Sequence, residues 1–269
     1  MTRIFAITNQ KGGVGKTTTT INLAASLAFN NKKVLLVDLD PQGNGTMGCG
    51  IEKNSCLLTM YDVLLGHTGI EQAIIYSESG KFDVLPSNAD LTAAEVELLQ
   101  IPNKEYILKT NLQLIEKNYD FILIDCPPSL NMLTLNAMAA SHAVIIPIQC
   151  EYFALEGLSA LMNTVAKVAQ ALNPQITIEG LLRTMYDPRN SLTNDVSDQL
   201  KKHFGKRVYE TVIPRNVRLA EAPSHGEPVL SYDSQSKGAT AYLNLADEIL
   251  QKTPLAYDSN EKTMKAEAL

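Results

Sequence analysis

The residues best able to do chemistry in this sequence are consecutive: Gln10, Lys11, Gly12, Gly13, Val14, Gly15, Lys16, Thr17 and Thr18. The glycines let the backbone curl with its N–H groups pointing inward, and a helix opening at the end of the loop adds its positive dipole end, so that together they form an anion cradle. In such a cradle Lys16 reaches the β- and γ-phosphates of ATP, and the Thr17 hydroxyl ligates Mg²⁺. Glycines also serve ordinary turns, but here an apolar strand, Gly-x-Gly-Lys-Thr and a helical stretch follow one another in the order that phosphate binding requires.

Carboxylates stand where such a site needs them. Asp125 ends the apolar run Phe121-Ile-Leu-Ile, and Asp38 and Asp40 occupy Val37-Asp-Leu-Asp-Pro-Gln-Gly-Asn44. Open α/β sheets bind ligands at the carboxyl ends of their strands. Asp125 is placed there to hold Mg²⁺ through water. Asp40, ahead of a loop with Pro41 and Gly43, is better placed to orient the attacking water and sense the γ-phosphate. Thr17, Asp40 and Asp125 are thus the candidate metal-site residues, and Lys16, Asp40 and Asp125 candidate catalytic ones. Capping of the next turn would explain one of these aspartates but hardly three beside such a loop. Hydrolysis here needs positioning and charge neutralisation. No obvious arginine finger is supplied in cis, so slow basal turnover is expected.

The elements that must position these groups are legible as apolar runs, each followed by helical periodicity: 4–7, 34–37, 82–85, 121–124, 144–146 and 180–182. Runs apolar on consecutive residues suit strands buried on both faces. Alternation with helices requires crossover connections, so the expected fold is α/β, a mostly parallel twisted sheet with helices on both faces. Helices are predicted over 17–29, 89–99, 104–117, 134–140, 155–172, 194–204 and 239–251. Residues 1–252 read as one domain, and the polar segment 253–269 as a disordered tail.

Composition narrows the class. The 269 residues are 45% hydrophobic and 19% charged, with net charge −6. No apolar run approaches the roughly 18 residues of a membrane span, and the first ten residues lack a signal peptide's apolar stretch. A soluble protein kept inside the cell is expected. Cys49, Cys56, Cys126 and Cys150 form no C-x-x-C pair, which argues for reduced, structural cysteines. The acidic average hides a basic segment: 183–218 holds eight basic residues, Arg183, Arg189, Lys201, Lys202, Lys206, Arg207, Arg215 and Arg218, against four acidic ones, a local +4. Charge alone leaves a phosphate-binding surface and an ordinary solvated helix face equally open.

The loop departs from G-x-x-x-x-G-K-[ST] in having Gln10 in place of the first glycine and an early lysine, Lys11. KGGVGKTTT resembles the deviant Walker A motif of the ParA, MinD and nitrogenase iron-protein group. DPQGN and IDCPPS resemble the switch I and Walker B/switch II segments of ParA/Soj partitioning ATPases, and PIQCEYFALEGL (147–158) and VIPRNVRLAEAPSHGEPV (212–229) resemble further Soj-type blocks, so that the likeness covers about 3–252. It implies a P-loop ATPase using ATP and Mg²⁺, with Lys11, a further candidate catalytic residue, reaching the nucleotide of a partner subunit in an ATP-sandwiched homodimer. It also implies adenine contacts from Pro214 and Asn216. Non-specific binding of double-stranded DNA would come through Arg189 and Arg218, more weakly through Lys201, Lys202, Lys206 and Arg207. Hydrolysis would be stimulated by a ParB/Spo0J-type centromere-binding protein, and the location would be cytoplasmic and nucleoid-associated. Lacking a helix-turn-helix extension ahead of Met1, the chain is not expected to bind an operator.

Rival readings fare worse. A MinD-like ATPase would end in a basic amphipathic helix, whereas 253–269 has Lys262 and Lys265 against Asp258, Glu261 and Glu267. An iron–sulfur carrier would need paired cysteines, and a tyrosine kinase of this loop class a C-terminal tyrosine cluster, where only Tyr257 occurs. A nucleotide-controlled switch acting on a replication initiator stays open, since the same loop would serve it.

Overall fold

The computed structural model describes residues 2–252; the tail expected to be disordered lies outside the described residues. Strands β1 (Arg3–Ile7), β2 (Val34–Asp38), β3 (Ile75–Ser77), β4 (Phe82–Leu85), β5 (Phe121–Asp125), β6 (Ala143–Gln149), β7 (Thr177–Tyr186) and β8 (Val208–Pro214) form one sheet, ordered β3-β4-β2-β5-β1-β6-β7-β8. Neighbours pair in parallel except β3, which runs antiparallel to β4 at the edge.

Consecutive apolar residues do here what a strand buried on both faces requires, because successive side chains leave on opposite sides. Ile4, Ala6, Leu35, Val37, Ile122 and Ile124 pack on one face, together with Leu108, Leu133, Leu158 and Leu200 from helices Ile107–Ile115, Met132–Ala140, Ala154–Ala171 and Ser191–Phe204. Phe5, Ile7, Leu36, Leu123, Ile145 and Leu182 pack on the other, against Leu23 and Leu27 of helix Lys16–Phe29 and Tyr242 and Leu245 of helix Lys237–Gln251. Each Val, Leu, Ile or Phe side chain among these contributes about 1.5–3 kcal/mol when fully buried. The four cysteines are free thiols, three of them buried.

Two strands escape the sequence pattern for physical reasons. β8 carries exposed Glu210 amid Val208-Tyr209 and Val212-Ile213, as an edge strand tolerates, so it lacks a continuous apolar run. β3 is three residues long with Tyr76 exposed. The predicted helix 104–117 is a nine-residue α-helix, Ile107–Ile115, flanked by 3₁₀ turns.

Candidate nucleotide-binding site

The glycine loop bridges β1, at the centre of the sheet, and helix Lys16–Phe29, which Gly15 caps in the left-handed region at φ 87°. Gly13 is also left-handed, at φ 74°. No side chain caps the helix start, leaving its first N–H groups directed at the loop. The buried Asn9 braces the loop from below: its Nδ2 donates to the Pro147 carbonyl at 2.8 Å, and its Oδ1 accepts the Lys11 amide at 3.0 Å.

Parallel register brings the acidic residues to the same edge. Ile7, Asp125 and Asp38 end the neighbouring strands β1, β5 and β2 in register. Lys16 is only 7% exposed. Burial lowers its pKa, while Asp125 and, more weakly, Asp40 pull it back up. Asp125 is fully buried; Thr20 donates to its Oδ1 at 3.1 Å, and the Thr17 hydroxyl lies beside it. Its Oδ2 is a buried oxygen with no partner among the described residues. Burial first, and then the neighbouring Asp38 charge, raise the Asp125 pKa. An orphaned carboxylate oxygen beside two threonine hydroxyls fits a hard, oxygen-seeking cation such as Mg²⁺.

Asp40 is half-buried, and its backbone is fixed twice: its amide donates to Asp38 Oδ1 at 3.2 Å and its carbonyl accepts from the Ser87 hydroxyl at 2.9 Å. Asp38 is the organiser of this turn rather than a solvent-facing group. Sequence spacing had a signal for Thr20, one helical turn beyond Thr17. It had none for Glu151, whose carboxylate holds the Lys11 ammonium across 140 positions of sequence, with both side chains nearly half exposed.

Pro214 ends β8 opposite Tyr186, and Asn216 caps helix Val217–Glu221 by accepting the Arg218 amide at 2.9 Å. Both therefore stand at the same carboxyl edge as the glycine loop.

The basic segment is divided. Arg183 is 3% exposed and adds nothing to the surface charge, which leaves seven basic residues against four acidic. Arg189 is 88% exposed, yet its guanidinium forms a bidentate pair with Asp187 at 2.9 and 2.8 Å. That pairing lowers the Asp187 pKa to about 2. Arg218 pairs with Glu221 at 2.9 Å and Asp233 at 3.1 Å. Because β7 and β8 are parallel, helix Ser191–Phe204 returns the chain from the carboxyl edge to the amino edge. Arg189 and Arg218 lie at the first edge. Lys201, Lys202, Lys206 and Arg207 lie at the second, about 21 Å of helix away, and Lys201 is paired with Glu210 at 3.5 Å.

The chain is similar to known proteins over nearly its whole length. Residues 2–178 match the family described as AAA domain. An uncharacterized protein of Pseudomonas putida is 63% identical over 252 residues, covering 94% of this chain and 96% of that one. The sporulation initiation inhibitor protein Soj of Bacillus subtilis is 53% identical (93% and 98% covered), and the chromosome partitioning protein ParA of Caulobacter vibrioides 51% identical (93% and 94%). Among solved structures, cobyrinic acid a,c-diamide synthase of Mycobacterium smegmatis, with bound ATP analog and magnesium, superposes with TM-score 0.82 at 38% identity, covering 93% of this chain and 95% of that one. The cell division ATPase MinD of Pyrococcus furiosus superposes with TM-score 0.77 at 28% identity, covering 93% and 99%. At 51–53% identity to Soj and ParA over nearly the whole chain, the protein belongs to the ParA/Soj family of P-loop ATPases.

Proposed function

We propose that the protein is an ATP-dependent DNA-partitioning ATPase: ATP closes two copies face to face, the dimer binds DNA without regard to sequence, and hydrolysis, accelerated by a ParB-type centromere-binding protein, resets it. Residues 1–252 act in this as one unit, at the nucleoid in the cytoplasm. The observation that carries the reading is the convergence of Lys16, Thr17, Asp40 and the orphaned Asp125 oxygen at the glycine loop, in a chain 51–53% identical to Soj and ParA. The similar structure named as a synthase, solved with bound ATP analog and magnesium, is less identical, at 38%.

The chain's residues divide the work. The loop amides and Lys16 bind the phosphates of ATP, and Pro214 and Asn216 face its base. Thr17 and Asp125 would hold Mg²⁺, whose charge neutralises phosphate oxygens when bound. Asp40, its backbone held by Asp38 and Ser87, orients the attacking water. Lys11 leaves Glu151 to meet the phosphates bound by the partner copy. Arg189 and Arg218 exchange carboxylate partners for DNA phosphates, which gives contacts that position without reading sequence and weaken with salt.

The test is binding to a non-specific duplex with ATP, ADP or no nucleotide, for wild type, Lys16→Ala and Arg189→Ala at two salt concentrations. Binding by the ATP-loaded wild type alone, weakened by salt and by Arg189→Ala, is the expected result. ATP binding with no response to DNA in any state would overturn the partitioning role and favour a switch directed at another protein, such as a replication initiator.

A further inference from the structure

Val14 lies between Gly13 and Gly15, both left-handed. Between these turns its carbonyl leaves the phosphate loop toward β7, where the Thr184 hydroxyl donates to it at 2.8 Å. Both residues are buried, Val14 to 1% and Thr184 to 2%. Thr184 also packs beneath Gly15, whose added Cβ would lie 3.8 Å from the threonine methyl.

Arg183, the preceding residue, faces the other side of the sheet, as strand alternation demands. Its guanidinium donates to Ser197 Oγ of helix Ser191–Phe204 at 2.9 Å and to the Tyr209 and Glu210 carbonyls of β8 at 2.6 and 3.1 Å. The following residue, Met185, takes φ 49°, and the register with β8 shifts between Arg183 and Tyr186. A non-glycine residue in this region costs on the order of 1 kcal/mol or more and persists where its surroundings over-determine it. Tyr186 then donates its hydroxyl to Asn194 Oδ1 at 2.9 Å, and Asn194 Nδ2 holds the Pro188 carbonyl at 2.9 Å. Hydrogen bonds joined through the β7 backbone thus link the phosphate loop to the segment that presents Arg189.

We propose that Thr184 is a positioning residue that couples the phosphate loop to the basic loop and helix. Any change in the Val14 peptide on nucleotide binding reaches β7 through the Thr184 hydroxyl, and Arg183 and Tyr186 pass it to helix Ser191–Phe204, with Arg189 at its entrance. Coupling of this kind needs an element biased by both sites, and the left-handed Met185 joint supplies it. The consequence for DNA rests on the partitioning reading above; the coupling itself does not.

The experiment compares full-length wild type, Thr184→Val, Thr184→Ser and Tyr186→Phe by hydrogen exchange with and without a non-hydrolysable ATP analogue and Mg²⁺, and by DNA affinity in the same two states. In wild type and Thr184→Ser, which keeps the hydroxyl, the analogue alters exchange across residues 186–204. In Thr184→Val the alteration is confined to residues 9–20, and the ratio of DNA affinities with and without nucleotide falls about tenfold, within the usual span of coupling factors. Tyr186→Phe, which leaves the phosphate loop untouched, shows the same loss should Thr184→Val bind nucleotide too weakly to be read. A full response at 186–204 in Thr184→Val and Tyr186→Phe, or no response there in wild type, overturns the proposal. An exchange response in wild type without DNA binding in any state supports the coupling and sinks the partitioning reading instead.

Discussion

Thr46 holds Asp38 twice, its amide and its hydroxyl each donating to Asp38 Oδ2 at 2.7 Å. Both side chains are fully buried, and Gly45 is confined by the same carboxylate, since a Cβ there would lie 2.9 Å from it. Asp38 in turn accepts the Asp40 amide. Burial pushes the Asp38 pKa up, and the Thr46 bonds oppose that rise.

Thr46→Val therefore strips a buried carboxylate oxygen of one donor. We expect a stability loss of about 1–3 kcal/mol, the cost of an under-satisfied buried polar group, read by urea denaturation. ATP turnover is expected to fall roughly tenfold or more through misplacement of Asp40, with ATP affinity little changed; unchanged turnover would show that Asp38 does not set the Asp40 position.

Asp125→Asn keeps the size of the side chain and the bond from Thr20 but removes the charge that a cation needs. Nucleotide binding without Mg²⁺ should survive, whereas the gain in ATP affinity on adding Mg²⁺ should fall by about tenfold or more. Calorimetric titration of ATP with and without Mg²⁺ separates the two, and an intact Mg²⁺ effect would place the metal elsewhere.

Gly180 of β7 has no room for a methyl group, because a Cβ there would run into the Tyr209 ring. Tyr209 is fully buried and cannot swing aside without displacing core neighbours. Gly180→Ala is expected to cost about 1–3 kcal/mol by overpacking, visible as an earlier urea midpoint, with the nucleotide site intact.

His142 accepts the Ile4 amide on Nδ1 at 3.0 Å, so a proton on that nitrogen breaks the bond. Desolvation, helped by Lys109 and Arg3 and opposed by Glu116, holds its pKa below the ordinary 6.5. With the folded pKa depressed, the contribution to stability is present above 6.5 and is lost as pH falls through the folded value. His142→Asn retains an acceptor and cannot titrate. Because His142 is solvent-exposed, between pH 7.5 and 5 wild type should lose more stability than this variant by only a fraction of the roughly 1 kcal/mol net worth of one hydrogen bond; parallel thermal-melt profiles would refute the assignment.

For DNA, the two edges of the basic segment make a graded expectation. Removing one phosphate-binding cation lowers the slope of log affinity against log salt by about 0.9. Arg189→Ala and Arg218→Ala, at the edge shared with the glycine loop, should each lower that slope by about this much per protomer, and Lys202→Ala, at the far end of its helix, by less. Equal effects would mean that DNA follows the whole length of helix Ser191–Phe204.

Whatever depends on neighbouring residues was legible in the sequence: the glycine loop between strand and helix, the runs apolar on consecutive positions that make Phe121–Asp125 and Val34–Asp38 buried parallel strands, and Asp125 and Asp38 at their ends with Asp40 just beyond. Those features follow from backbone conformation and period, which a short stretch of chain suffices to encode. Strand order and packing set the rest: Asp38 organises Asp40 through Thr46, Arg183 is buried while Arg189 is exposed and paired, and six of the eight basic residues close in sequence divide between two edges. They also joined Lys11 to Glu151 and Val14 to Thr184, 140 and 170 positions apart. Such pairings depend on strand order and register, set by the packing of the whole sheet, and no local pattern carries them.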